Sequence, residues 1–577
     1  MKVLGISPDV WISSAAIVDD GRVLSAVAEE RLNRKKMSAV FPSLAIEACL
    51  KDAKLKISEI DCVVAAWNPG PHIRAASGRH IGPARWRGEY LASFPSSVLG
   101  HFGHPNIDKI QELIEFGGHT LNLQFLNHHL AHAASAFYLS PFERAAVLTV
   151  DGRGENETCS FCVATKGGIE KIQSVMLPHS LGLFYSTITE FLGFAPHSDE
   201  WKVMALASYG AANNKYYPAL RKLVALKDNG AFELDLTYFA FYLFDKQPNF
   251  YSEKMLELLG PARLKAEPVE QRHYDIAWAL QAVFEETFLH MLLHLQKITG
   301  EKKLAIAGGA AMNSVFNGKI RALTKFEDVF IPSCPDDTGV SVGAALYVAA
   351  EEGLKKHTGA LPYVFTNHPQ RHNYWGPSFS DAEIQETLDR YKIKYQRAKN
   401  LTAEVAAQIA QGKLVGWFQG KSEFGQRALG NRSILADPRD AATKDKVNAA
   451  VKYREGFRPF APAVLAEAAK EYFELPDKVS VPFMEAVYPV RVDKRAGLGA
   501  VVHIDGSGRL QTVERESNAL FYDLIAEFGK LTGVPILLNT SFNLNGEPMV
   551  SSPTDAIRTF YSCGLDLLVL GNYLVSK

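Results

Sequence analysis

The chain has 577 residues, with 62 Lys plus Arg against 63 Asp plus Glu, for a formal net charge of −1. That balance excludes a strongly basic nucleic-acid binder and leaves room only for a local basic groove. At 47% hydrophobic and 22% charged residues it is a folded globular protein and not a disordered one, and its length allows about two to four domains.

In chain order, Val3 to Ser7 reads as a strand ending in a polar loop that includes Ser13. Ser14 to Val18 is a second strand, Asp19-Asp20-Gly21-Arg22 a turn, and Val23 to Val27 the returning strand. The opening apolar stretch is too short for a secretory signal, and no run approaches the roughly 18 apolar residues of a membrane span. Six cysteines, at 49, 62, 159, 162, 334 and 563, are too sparse for a disulfide framework. The expectation is a cytoplasmic protein with no membrane partner. Residues 69–105 carry His72, Arg74, Arg79, His80, Arg85 and Arg87, either around an acceptor pocket or on a charged surface loop.

Asn127 to Phe137 favours a helix, on which His128 and His132 share one face at i and i+4. Such a pair can hold one metal ion, although on spacing alone capping or packing explains it better. Asp151 strengthens the metal reading, because it ends the strand Ala145 to Val150, where α/β folds place functional residues. Asp337 is a second acid of this kind. Two imidazoles and two carboxylates suit iron, manganese or zinc.

The order strand, polar loop, hairpin returns after Asp151: Thr158 to Ala164, the turn Lys166-Gly167-Gly168, then Ile172 to Val175. This predicts two similar α/β lobes facing a cleft, with the loops gripping phosphate through backbone N–H groups. Two unrelated hairpins fit the pattern equally. Cys159 and Cys162 form a C-x-x-C on the second strand. Strand alternation sends them to opposite faces, as buried thiols and not as a redox or zinc pair.

Lys303 to Ile306 is a strand leading into Gly308 and Gly309, where a nucleotide could approach the backbone, and Asn313 would cap the helix that follows. Ser341 to Ala350 reads as a short buried helix. Residues 360 to 380, rich in Pro, Asn, His and Tyr, mark a linker near 372, dividing the chain into 1–372 and 373–577.

Beyond it, Glu383 to Tyr391 and Glu404 to Gln411 read as amphipathic helices, and Leu414 to Phe418 and Pro535 to Leu538 as buried strands. Gly416 to Ser422 resembles a phosphate loop but has three residues between its glycines where four are needed. The cations stand elsewhere: Arg427 and Arg432, then Lys452, Arg454 and Arg458, then Arg509. Asn539 to Asn543 closes a strand, and Ser551 and Ser552 precede a helix. Arginine forks and a helix start suit phosphate oxygens. Surface salt bridges would explain isolated arginines, but poorly explain arginines interspersed with Gly, Pro and Phe.

Taken together, several motifs resemble the NodU/CmcH family of O-carbamoyltransferases: Ser14-Ala15-Ala16 with Asp20-Gly21, Glu29-Glu30-Arg31 with Arg34-Lys35-Lys36, His128-His129-Leu130-Ala131-His132-Ala133, Lys202 to Gly210, Arg427 to Ser433, and Asn539 to Asn543. The resemblance runs nearly end to end. It implies an α/β protein with a duplicated N-terminal actin-like ATPase (ASKHA, Kae-type) domain and a C-terminal YrdC-like α/β domain. The C-terminal domain would form carbamoyl-adenylate from carbamoyl phosphate and ATP. The N-terminal domain would pass the carbamoyl group to a hydroxyl of a small natural-product acceptor.

The resemblance implies metal ligation by His128, His132, Asp151 and Asp337, with ferrous iron as the metal and magnesium accompanying ATP. Catalytic roles fall on Lys36, Arg427, Lys452 and Arg458. Substrate and nucleotide contacts fall on Ser13, Ser14, Lys202, Gly308, Gly309, Asn313, Arg509, Asn539, Ser551 and Ser552. Trp11 stands where the family has a histidine at the transfer site, and Met37 where one often follows the lysine pair. A different base, a reshaped pocket and impaired transfer all fit that departure. Competing readings are a threonylcarbamoyl-type tRNA-modifying enzyme, which the net charge disfavours, and a non-catalytic actin-fold binding protein. No nucleic-acid partner is expected, and a homo-oligomer is compatible with the sequence.

Overall fold

The computed structural model describes residues 1–8, 11–68, 109–116, 119–246, 248–356, 368–453 and 455–577. The segment 69–105 and Arg454 lie outside them. Strand β1 (Lys2–Ser7) pairs antiparallel with β2 (Ser14–Asp19), and β2 with β3 (Arg22–Ala28). The other edge of β1 runs parallel to β4 (Cys62–Ala65). Beyond it lie β5 (Lys109–Phe116) and β6 (His119–Leu126), giving the order β3-β2-β1-β4-β6-β5. The second sheet repeats this plan. Strands β7 (Arg144–Val150), β8 (Glu157–Thr165) and β9 (Gly168–Met176) form the meander, and β10 (Lys303–Ala307) and β11 (Asp328–Phe330) continue in parallel from β7. The repeat is one of topology, each hairpin taking the same place in its sheet.

Helix α1 (Ser43–Ala53) covers the outer face of the first sheet. Between the sheets lie α2 (His128–Tyr138) and α6 (Val340–Lys356). On the outer face of the second sheet lie α3 (Leu181–Phe191), α4 (Glu200–Ala207) and α5 (Gln271–Thr299). Strand alternation sorts the side chains: Val3, Ala16, Ala145 and Val147 face α2 and α6, while Leu4 and Ile17 face α1. Cys159 packs in the outer core and Cys162 in the inner one, and all six cysteines are buried and form no disulfide. Helix α6 runs six residues past Ala350, because the turns carrying Glu351 and Glu352 emerge from the core.

The two central helices meet through small residues. A Cβ on Gly343 would stand 1.9 Å from the Ala131 carbonyl oxygen, and one on Gly5 1.9 Å from the Ser341 carbonyl oxygen. Gly343→Ala is expected to force α2 and α6 apart at a cost of about 3 kcal/mol, lowering the thermal midpoint by roughly 2–4 °C. An unchanged midpoint would contradict this packing.

Residues 370–376 are fastened in place. The Trp375 carbonyl accepts from the Ala26 N–H and the Ser25 hydroxyl, and its indole is buried in the inner core. A predominantly buried eight-stranded mixed sheet follows: β12 (Gln396–Arg397), β13 (Val415–Phe418), β14 (Arg432–Ala436), β15 (Ala461–Leu465), β16 (Gln511–Val513), β17 (Ile536–Ser541), β18 (Leu567–Leu570) and β19 (Tyr573–Ser576). Their order is β12-β19-β18-β13-β14-β17-β15-β16. Helices α8 (Leu401–Ala410) and α9 (Ala519–Thr532) cover one face, where Trp417 packs. Helices α7 (Asp381–Arg390) and α10 (Pro553–Tyr561) cover the other, where Phe418 packs. Arg31 and Arg34 donate to the carbonyls of Gly425, Pro548 and Met549, binding the start of the chain to this last sheet's loops. Among the described residues no helix is long and apolar enough to cross a membrane.

Candidate active site

Asn127 caps α2 by accepting from the Leu130 N–H, which starts the helix with His128 in its first turn. His132 then falls one turn later on the same face. Asp151 leaves the end of β7, and Asp337 precedes α6. One ligand atom from each of these four buried residues lies within 4.8 Å of the others. His128 Nε2 is 3.1 Å from His132 Nε2, and each is 3.3 Å from Asp337 Oδ1. Asp151 Oδ2 is 3.5 Å from His128 Nε2.

The donor chemistry fits a divalent metal. His128 Nδ1 lies 3.2 Å from the Ala66 carbonyl and donates to it, leaving Nε2 with its lone pair turned toward His132 and the carboxylates. The Gly309 N–H donates to Asp151 Oδ1 at 2.6 Å and turns Oδ2 inward. Against the burial that opposes charge, His128 and His132 hold the Asp337 carboxyl well below its ordinary range. Behind the site, Glu155 accepts from the N–H groups of Asn68 and His128 and from the Asn127 amide. Burial pushes Glu155 up to about 7.

His129 faces away from this set. Its Nδ1 lies 2.7 Å from the Thr149 hydroxyl, and its Nε2 bonds the Glu157 carbonyl at 3.1 Å. Burial pushes it down to about 4, below the 6.5 of an unfolded chain. The unfolded state therefore takes up a proton first as pH falls, and stability is lost between pH 6.5 and 4. Metal-stripped protein is expected to lose about 2 kcal/mol from His129 by pH 5. Urea unfolding of the wild type and of His129→Gln at pH 7.5 and pH 5 checks this, because Glu155 and His197 also shift the wild-type total; an equal change in both proteins would contradict it.

A cleft of about 400 Å³ opens over Asp151 and Asp337 and is walled by residues from both ends of the chain. Lys36, Gly309, Asn313, Arg427, Lys452, Arg458, Arg509 and Asn539 all line it. Arg427 is presented by a loop that Glu423 organises, accepting from the N–H groups of Leu429, Asn431 and Arg432. Burial pushes Arg427 down to about 10, so it stays charged at neutral pH. The Arg458 guanidinium lies 3.9 Å over the Trp201 ring and pairs with Glu455 at 3.2 Å. Lys452 donates to Ser541 and Asn543, fixing the loop after β17. The Asn539 amide donates to the Ala428 carbonyl and Gln511. Burial pushes the Lys36 ammonium down, with Glu30 and Asp199 opposing.

Several predicted contacts are placed elsewhere. Ser14 Oγ is 2.8 Å from both the Thr338 carbonyl and Ser341 Oγ, and ties β2 to the Asp337 loop without lining the cleft. Ser13 is buried beneath it, its backbone bonded to Ser38 and Glu29. Lys202 pairs with Asp199 at 3.0 Å and Glu455 at 3.7 Å. Gly308, at φ +97, lies against the Val150 backbone, where a Cβ would meet the carbonyl oxygen at 2.2 Å. Ser551 and Ser552 do not form an anion site, because Asp555 already occupies that helix start. Its carboxylate accepts from both serine N–H groups and from the Ser552 hydroxyl. Arg432 is likewise structural, stacked 3.7 Å over Phe418 and donating to the carbonyls of Gln419, Gly420, Asn431 and Pro377.

Sequence reasoning missed Glu155, Trp201, Glu200 and His197. Trp11 also lines the cleft. Its indole stacks on His197, with ring centroids 4.3 Å apart and planes 30° apart. Burial, then the Arg153 guanidinium, push His197 down to about 4, so it is neutral.

A metal-ligating set and a group of cations facing one cleft mark an α/β enzyme that handles anionic substrates. Family comparison makes this specific: the description "Carbamoyltransferase N-terminus" matches residues 2–346 and "Carbamoyltransferase C-terminus" residues 406–577. The chain belongs to the carbamoyltransferase family, and is an enzyme of the NodU/NolO type. Nodulation protein NolNO of Sinorhizobium fredii is 39% identical over 98% of this chain and 78% of its own length. Nodulation protein NolO of Bradyrhizobium diazoefficiens is 41% identical over 78% of this chain and 79% of its own. An uncharacterized protein of Synechocystis sp. is 36% identical over 100% and 96%. Among solved structures, full-length HypF in its phosphate- and nucleotide-bound form shares 14% identity at a TM-score of 0.32, over 62% of this chain and 56% of that one.

Proposed function

We propose that the protein is an ATP-dependent O-carbamoyltransferase that works in two steps along one cleft. The observation that carries this is the shared wall: Arg427, Lys452, Arg458 and Arg509 face the same space as Asp151 and Asp337. Residues 373–577 form the adenylate-forming, YrdC-like half, and residues 1–372 the duplicated actin-like transfer half.

Carbamoyl phosphate and ATP are both polyanions, and the arginines and Lys452 offset their mutual repulsion. Water cleaves carbamoyl phosphate to inorganic phosphate and carbamate, and the carbamate oxygen attacks the ATP α-phosphorus. Pyrophosphate leaves, and carbamoyl-adenylate forms. Lys36 lies on the cleft wall where the carbamoyl group would pass, and the buried route keeps water from the adenylate. His128, His132, Asp151 and Asp337 would hold ferrous iron, or manganese or zinc by the same donor chemistry, and magnesium would accompany ATP. A metal bound there would supply Lewis-acid stabilisation of charge on the departing phosphate. A hydroxyl of a small natural-product acceptor then takes the carbamoyl group, releasing AMP.

Trapping tests this directly. Purified protein given ATP, carbamoyl phosphate and hydroxylamine should form AMP, pyrophosphate and hydroxyurea in equal amounts, strictly dependent on ATP. Release of ADP in place of AMP would contradict the reading.

A further inference from the structure

Glu200, the first residue of α4, lines the cleft and forms no ion pair among the described residues. Its Oε1 is held by two donors, the Ser186 hydroxyl at 2.5 Å and the His197 N–H at 2.6 Å. His197 presents that N–H from a left-handed conformation at φ +61, a backbone state few non-glycine residues adopt. No hydrogen bond reaches Oε2 among the described residues. With Oε1 fixed, Oε2 is the oxygen left to meet a bound molecule.

The position of this carboxylate follows from α3. A Cβ on Gly182, at the start of that helix, would lie 2.8 Å from the Asp151 carbonyl oxygen, so the helix begins in contact with the metal-ligand loop. Ser186 stands four residues on, one turn or about 6 Å along the axis, and it holds Glu200. Ser186 thereby holds the carboxylate on the aromatic side of the cleft that Trp11, Trp201 and Tyr209 line, in the same cleft as Asp151.

We propose that Glu200 Oε2 is the base that takes the proton from the acceptor hydroxyl during carbamoyl transfer. The inference rests on the two-step reading above. The hydroxyl oxygen bonds to the carbamoyl carbon, and the bond from that carbon to the adenylate phosphate oxygen breaks. The bonding pair leaves with AMP, and the hydroxyl proton passes to Glu200. Burial pushes the Glu200 carboxyl above its ordinary value, nearer to that of an effective base at neutral pH.

Glu200→Gln separates this role from a structural one, because glutamine Oε1 still accepts from Ser186 and His197 and only Oε2 is replaced. The probes are hydroxylamine, which attacks without a base, and three hydroxyl compounds: water, glycerol and glucose. Each is given with ATP and carbamoyl phosphate, and AMP and carbamoylated product are measured. Glu200→Gln should keep pyrophosphate release and hydroxyurea formation at wild-type rates, while transfer to the hydroxyl probes falls about 100-fold. Glu200→Asp should recover part of the loss. Transfer to hydroxyl probes at the wild-type rate in Glu200→Gln would overturn the proposal, as would an equal loss with hydroxylamine. Wild type that makes hydroxyurea yet transfers to none of the hydroxyl probes, water included, would overturn it too. Failure of wild type to release pyrophosphate would instead overturn the two-step reading itself.

Discussion

His128→Ala is expected to strip the protein of its metal and lower carbamoyl transfer by at least about 100-fold, while leaving pyrophosphate release intact. His128 Nε2 is the ligand atom nearest the centre of the set, within 3.5 Å of Asp151, His132 and Asp337 together. Its removal leaves two buried carboxylates sharing one imidazole. Like charges confined in low dielectric repel strongly, so the pocket loses both a ligand and the geometry of the others. Metal content per chain is the direct readout. Pyrophosphate release at the wild-type rate serves as the control for folding, because that step is assigned to Arg427, Lys452 and Arg458 and not to the four-residue donor set. Full metal content in the purified variant would contradict the assignment.

Arg458→Ala is expected to do the reverse, lowering pyrophosphate release by about 100-fold or more with metal content unchanged. Arg458 is buried at the junction where Trp201 meets the loop carrying Glu455. The planar guanidinium stacks on the indole while its edge stays available to oxygen acceptors. Lysine lacks that planar fork, so Arg458→Lys should recover little of the lost rate. Wild-type pyrophosphate release from a folded Arg458→Ala protein would contradict the role.

The main elements of both halves were legible because their patterns are local. Short apolar runs marked the strands, Asp-Gly marked the first turn, and small residues around His128 marked the central helix. The four candidate metal ligands were nameable from strand ends and helical spacing. Their convergence was not, since the 208 positions between His128 and Asp337 carry no signal of closeness. The serine pair at 551 and 552 read as an anion site from its helix start alone. Asp555, three residues after Ser552, was the visible sign of a capping box that fills the start from within. Arg427 and Arg432 looked alike in sequence. Only the fold turns one into the cleft and wraps the other in backbone carbonyls. The stretch around Trp375 has the composition of a linker, yet it packs, because one indole and one carbonyl find partners on β3 and its neighbours. Glu155, Glu200 and Glu423 escaped notice for a shared reason: each acts through backbone N–H groups, and a single acid in a loop or at a helix start gives no sign of the donors that will surround it.

The central claim is that one cleft first makes an adenylate and then spends it. The measurement that tests it most directly is pyrophosphate release from the purified, metal-loaded protein given ATP, with and without carbamoyl phosphate. The account predicts release that requires carbamoyl phosphate and is lost in Arg458→Ala. Release independent of carbamoyl phosphate, or none at all from folded protein, would contradict it.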